Sequence, residues 1–167
     1  MEHRFMIGKR RQRGFTYMSL LFLIAVLGVG LAATAVSWQT ARQREKEREL
    51  IFIGIEFRDA IALYYHRSPG VVKEFPRDLN DLLKDQRYPN IQRYLRRIYR
   101  DPMTGLARWG TVPAPGGGIM GIYSLSKDVP RKRAGFTEMQ KAFGEAGSYA
   151  DWKFVYEPPV PVPVLIR

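Results

Sequence analysis

Between Gly14 and Ala41 the chain runs 28 residues without a single Asp, Glu, Lys, Arg or His, and charge is dense on either side of that run. At ~1.5 Å of rise per residue the stretch exceeds the ~30 Å hydrocarbon core of a bilayer, so it predicts one membrane-spanning helix. A cleaved secretory signal is the shorter alternative, and Ala32, Ala33 and Ala35 imitate its small-residue site. The run is too long for it, since such cores hold only ~7–15 residues. Beyond Trp38, a residue type favoured at membrane interfaces, RQREKERE (42–49) sets opposite charges three apart: Arg42 with Glu45, Arg44 with Glu47, Lys46 with Glu49. That spacing predicts a solvated helix face. Leu50, Ile53, Phe57, Ile61 and Tyr64 then recur at intervals of three and four, an apolar stripe at helical period. Nothing interrupts the pattern from about Thr16 to Ser68-Pro69-Gly70. One helix of about fifty residues, on the order of 75 Å long, is expected, its first half in lipid and its second half the spine of a head. Gly28, Gly30 and Gly54 each weaken it by about 1 kcal/mol in water.

The head reads as α first and β afterwards. Asp78 is placed to cap a short helix through Leu83, and Asn90 another through Tyr99, each after a proline. Asp101-Pro102 and Thr104-Gly105 make turns before a strand near 107–112, PAPGGG (113–118) is a loop, and IMGIYSL (119–125) has strand composition. A hairpin joining these two strands is the simplest reading. Residues 136–146 predict a short helix with Thr137 and Gln140 as a capping box, and WKFVY (152–156) a strand that adds to the sheet. The tail PPVPVPVLIR (158–167) is expected to be extended, because alternating proline removes ladder donors.

Charge and composition sharpen this picture. Residues 1–14 hold Arg4, Lys9, Arg10, Arg11 and Arg13 against Glu2, a contribution of +4 to the net +11, which leaves +7 on the rest. This asymmetry beside the apolar run predicts an N-terminus in the cytoplasm and a head across the membrane, hence a single-pass inner-membrane protein with a periplasmic head. The remaining basic excess suits anionic lipid or an acidic protein as well as nucleic acid. The chain has no Cys, which excludes disulfides and thiolate metal sites.

A basic leader, then Gly14-Phe15-Thr16, then an apolar run entering an amphipathic helix, resembles the class III signal of type IV pilins and type II secretion pseudopilins. The resemblance implies an α+β, pilin-like fold: a long N-terminal helix packed on a small antiparallel sheet. It implies cleavage by a prepilin peptidase between Gly14 and Phe15, methylation of Phe15, and assembly through Phe15, Thr16 and the fifth mature position. That position usually holds a glutamate thought to pair with a neighbour's N-terminal amine; here it is Ser19, which cannot supply the charge. Cleavage is still expected, whereas efficient self-polymerisation as the major subunit is not. YLRRIYRDPMTG, the following WG, the Gly-rich loop and GIYSLSKD are similar to the head of the major pseudopilin, so the likeness covers residues 9–128. That family holds Ca²⁺ in the loop after the last strand. Here Asp128 is followed by Val129-Pro130-Arg131-Lys132-Arg133, three cations where calcium wants six to eight oxygens, so no metal is expected; Asp128 is a ligand only if the calcium loop survives, and otherwise a turn residue or a partner for the arginines.

The domain reading is therefore a leader (1–14), a transmembrane half-helix (15–41), an amphipathic half-helix (42–67), an α+β head (68–157) and a Pro-rich tail (158–167). Its expected partners are other pseudopilins in a filament, the peptidase, an inner-membrane assembly platform and membrane lipid. Catalysis is not signalled. His3 lies in the leader, and His66 sits at a helix end where the dipole suffices to explain it. Gly116-Gly117-Gly118 lacks the Gly-Lys-Ser/Thr of a phosphate loop. Glu138, Glu145, Asp151 and Glu157 have no spacing that forces a carboxylate pair. No cofactor is expected. RYLRRIYRD (93–101) is the best nucleic-acid candidate, with arginines for phosphates and Tyr94 and Tyr99 for stacking; an amphipathic helix lying on the sheet explains the same pattern and is preferred. Two further readings share the N-terminal features: a minor pilin of a type IV pilus or DNA-uptake system, and a single-pass anchored binding protein.

Overall fold

A single helix, α1, runs Arg13–His66 and ends where Ser68-Pro69-Gly70 was expected to stop it. The structure, a computed structural model, describes residues 13–159, and within α1 the side chains of residues 17–28 and 38–66. The leader up to Gln12, the tail from Val160 and the side chains of Gly14, Phe15 and Thr16 lie outside the described residues. Two compact units result, Met1–Arg42 and Gln43–Arg167.

The second unit is α+β. Leu50, Ile53, Phe57, Ile61 and Tyr64 are all buried, so the stripe read from the sequence is the face of α1 that packs into the core. Strands β1 (Gly110–Pro113), β2 (Ile119–Tyr123) and β3 (Phe154–Val155) form an antiparallel sheet in the order β1-β2-β3, with Thr111 opposite Ile122 and Gly121 opposite Val155. The expected hairpin is β1-β2. Its loop closes with Ala114 N–H donating to the Gly118 carbonyl at 2.9 Å, and Gly117 and Gly118 both take positive φ (92° and 83°), which other residues adopt only under strain. The third strand is shorter than WKFVY suggested, because Trp152 turns out of the ladder into the core.

Short 3₁₀ segments carry the rest. Leu79–Leu82 is capped as expected by Asp78, whose side chain accepts from Asn80 N–H while Asp81 accepts from Asp78 N–H. Glu138–Glu145 also forms, but the Thr137/Gln140 capping box does not: Gln140 N–H donates to the Thr137 carbonyl instead of a side chain. The helix expected from Asn90 through Tyr99 is absent, and so the amphipathic-helix explanation of RYLRRIYRD falls. Tyr94 and Leu95 N–H both donate to the Leu82 carbonyl (2.9 and 3.0 Å), and Asp85 N–H to the Gln92 carbonyl. Tertiary partners take the donors and acceptors a helix would have used.

The glycine at position 54, which costs α1 about 1 kcal/mol of propensity, has a packing reason. A Cβ there would lie 2.4 Å from three ring carbons of Phe154, so α1 and β3 approach only because the side chain is missing. Overpacking of this kind costs about 1–3 kcal/mol, which outweighs the propensity gained. Gly54→Ala is therefore expected to lower the urea midpoint of the full chain by the equivalent of up to about 2 kcal/mol rather than raise it.

Candidate assembly surface

Over residues 17–28 the side chains of α1 are apolar on every side except at Ser19. Tyr17, Met18, Leu20, Leu21, Phe22, Leu23, Ile24, Val26 and Leu27 are all exposed, Phe22 by 72 %. A helix that is apolar all round is one that other elements cover. Leaving that area in water is unfavourable at ~25 cal/mol per Å². Gly14, Phe15 and Thr16 belong to this helix by backbone, and Ser19 is exposed on it. Farther along, Arg42 lies 5.9 Å over the Trp38 ring.

The expectation of a single-pass inner-membrane protein with a cytoplasmic N-terminus and periplasmic head is overturned. Among the described residues, no helix is long and apolar enough to cross a membrane.

The second unit corrects the reading of RQREKERE. Glu47 is not on a solvated face; it is 2 % exposed and accepts from Arg131 N–H (2.6 Å), Lys132 N–H (3.2 Å) and the Tyr149 hydroxyl (2.7 Å). Arg44, its expected partner, is replaced by backbone donors more than eighty residues away. Gln43 Nε2 donates to the same Tyr149 hydroxyl at 2.9 Å. Burial, together with the bond to Glu47, pushes the Tyr149 phenol up to about 12. The ion pair that forms in this stretch is Glu45 with Arg48, 3.6 Å apart on the surface. Glu47 thus fixes the loop 129–133 onto α1.

Asp128 is a turn residue. Its N–H donates to Ser126 Oγ, that hydroxyl donates to an Asp128 carboxylate oxygen at 3.1 Å, and its carbonyl accepts from Tyr149 N–H. Among the described residues no three His, Asp or Glu converge on a point that could hold a metal ion. His66 does more than meet the helix dipole, for its ring nitrogen Nε2 lies 2.7 Å from the Tyr156 hydroxyl.

Sequence reasoning missed two further buried carboxylates besides Glu47. Asp85 accepts both Arg87 Nε (2.9 Å, Oδ1) and Arg87 Nη2 (2.8 Å, Oδ2), together with Arg87 N–H and the Tyr94 hydroxyl. Burial works to raise the Asp85 pKa, but the contacts with Arg87 and Tyr94 outweigh it and hold the carboxyl below its usual range. Burial and the bond to Asp85 push the Tyr94 phenol up to about 12. Arg87 continues to Ser68 Oγ (2.8 Å) and the Tyr64 carbonyl (3.0 Å), and its guanidinium stacks 3.6 Å over the Tyr64 ring, so it caps the end of α1. Asp101, fully buried, accepts from Ser124 Oγ (2.7 Å), Thr104 Oγ1 (3.0 Å) and Met103 N–H (2.9 Å). The sequence signal for both was local: a carboxylate two or three residues before a polar group, as in DQR and DPMT.

Among the described residues every buried side-chain nitrogen and oxygen has a partner. These nodes are saturated by their own fold. A cleft of about 600 Å³ beside β3 has Arg58 and Asp59 in its lining, and they pair with each other at 2.7 Å. Comparison of the chain with family models, with characterised proteins and with solved structures finds no match. The class defined by fold and surface is therefore an α+β protein with a small antiparallel sheet and a long helix, α1, whose apolar side chains over residues 17–28 are exposed among the described residues.

Proposed function

We propose that this chain is a pilin-like assembly subunit, a pseudopilin in kind, matured by a prepilin peptidase between Gly14 and Phe15 and built into a filament through α1. The observation that carries the reading is the ring of exposed apolar side chains from Tyr17 to Leu27, which the chain itself leaves uncovered among the described residues. Helices of neighbouring subunits are the cover such a surface fits, since apolar helices packed side by side bury every face. The GFT step and the likeness of YLRRIYRDPMTG and GIYSLSKD to the major pseudopilin favour a filament of the type II secretion kind, whose subunits act mechanically and without catalysis. Ser19, in place of the usual glutamate, favours a subunit that enters the filament with related partners over one that polymerises alone.

Mass spectrometry of the N-terminal peptide from cells that carry the peptidase tests this. The expected product begins at methylated Phe15, and Gly14→Ala keeps the full-length chain. Wild-type protein that keeps residues 1–14 in such cells sinks the proposal.

A further inference from the structure

Between Asp85 and Asp128 the chain has one carboxylate, Asp101, against Arg87, Arg93, Arg96, Arg97, Arg100, Arg108 and Lys127. Asp101 is fully buried and turned onto Ser124, Thr104 and the Met103 N–H. Its charge cancels only one of these seven cations, which leaves the stretch at 7 − 1 = +6. Arg93, Arg96, Arg97, Arg100 and Arg108 are exposed, and among the described residues none of the five lies within ion-pair distance of a carboxylate. They are held together by backbone. The Leu82 carbonyl anchors Tyr94 and Leu95, the Trp109 indole donates to the Tyr99 carbonyl at 2.9 Å, and Asp101 N–H donates to the Leu106 carbonyl at 2.8 Å. Arg108 is thereby brought beside residues 99–100.

The aromatic rings of this segment are already engaged, and the Arg97 guanidinium itself lies 5.2 Å over the Tyr99 ring. Tyr94 packs edge-on against Tyr64 at 5.6 Å and spends its hydroxyl on Asp85; Tyr99 packs against Phe57 at 6.2 Å. A single-stranded nucleic acid needs free rings on which bases stack. With the rings engaged by the core and by Arg97, the surface offers guanidinium groups, whose planar fork of donors matches phosphate oxygens.

We propose that residues 93–108 form a binding surface for the phosphate backbone of a nucleic-acid duplex, engaged without reading base sequence. Such contacts release condensed counterions, so affinity falls with salt in proportion to the number of phosphates met.

Fluorescence anisotropy of the full chain with two labelled 30-base-pair duplexes of unrelated sequence, titrated between 50 and 300 mM salt, tests this. The leader is also basic, so the readout is the change on substitution. The Arg96→Gln/Arg97→Gln/Arg100→Gln variant removes only exposed side chains and is expected to keep the wild-type circular dichroism spectrum. It is expected to lower the slope of log K against log[salt] by about 2–3, at ~0.9 per phosphate contact, and to weaken binding about tenfold or more at 150 mM. Lys141→Gln, a surface cation outside the patch, is expected to leave slope and affinity unchanged, and both duplexes to bind alike. An unchanged slope in the triple variant overturns the proposal. So does an equal loss in Lys141→Gln, or tighter binding at equal charge to polyglutamate or to vesicles of anionic lipid, which assigns the patch to an acidic protein or a lipid surface instead.

Discussion

Trp152→Ala is expected to destabilise the head by about 3–5 kcal/mol, the range for removing a fully buried large aromatic. Trp152 is 0 % exposed and packs among Phe136, Phe143 and Tyr149. Its ring stacks on Phe143 at 5.3 Å with the planes 9° apart, and it meets Phe136 and Tyr149 edge-on at 5.6 and 5.3 Å. The indole N–H donates to the Phe143 carbonyl at 3.1 Å. One side chain thus ties the 3₁₀ segment 138–145 to the start of β3 and, through Tyr149, to Glu47 on α1. Alanine leaves a cavity and removes one of the two donors to the Phe143 carbonyl, the other being Ala146 N–H at 3.4 Å, and a protein of this size has only ~5–15 kcal/mol in total to lose. Urea unfolding followed by far-ultraviolet circular dichroism is expected to show a sharply lower midpoint. Trp152→Phe keeps a stacked ring and loses the indole bond, so about 1–3 kcal/mol is expected for it. Equal midpoints for Trp152→Ala and wild type contradict this account of the core.

What could be read from residues alone follows from how local the cause is. The stripe Leu50 to Tyr64 was legible because a helix face repeats in sequence, and the hairpin because Gly117 and Gly118 announce the backbone their turn needs. Glu47 was not, because a carboxylate three residues after Arg44 looks the same whether it meets that arginine in water or the backbone of Arg131 in a core. The helix expected at 90–99 failed for the same reason: its apolar spacing is helical, but the Leu82 carbonyl that claims Tyr94 and Leu95 is a tertiary partner invisible to spacing. Of the proposed maturation site, the sequence supplied the whole argument. Gly14 and Phe15 fall in α1, with side chains outside the described residues, and Ser19 is exposed. The uncovered apolar surface was legible as composition, whereas its extent on all sides of the helix took the structure.

Asp85 and Arg87 set the second large expectation, because a buried ion pair is costly to break from one side. The Asp85 side chain is 0 % exposed and that of Arg87 16 %, so Asp85→Asn leaves a nearly buried guanidinium without its counter-charge and with one amide oxygen in place of two carboxylate oxygens, beside the Tyr64 carbonyl and Ser68 Oγ. Removing one partner of such a pair costs about 3–5 kcal/mol. The pair also makes stability depend on acid in a defined direction. Since the folded Asp85 carboxyl titrates below its unfolded value of 3.8, the unfolded chain binds the proton more readily in the acid range. Stability from this source is fully present above about pH 4–5, falls as pH drops through the unfolded value, and is lost once pH passes below the folded one. The exposed Asp151, lowered by its bonds from Ser148, adds a dependence of the same sign, so the contribution of Asp85 is read as a difference between variants. Tyr94→Phe removes one bond to Asp85 and leaves the pair intact. Its acid-unfolding midpoint is expected to shift to higher pH with neutral stability reduced by only about 1 kcal/mol, whereas Asp85→Asn loses stability at neutral pH and flattens the acid limb. If Tyr94→Phe unfolds in acid at the wild-type pH, the carboxylate is not what holds the end of α1 to the loop 84–95, and the cap must rest on Ser68 and the backbone alone.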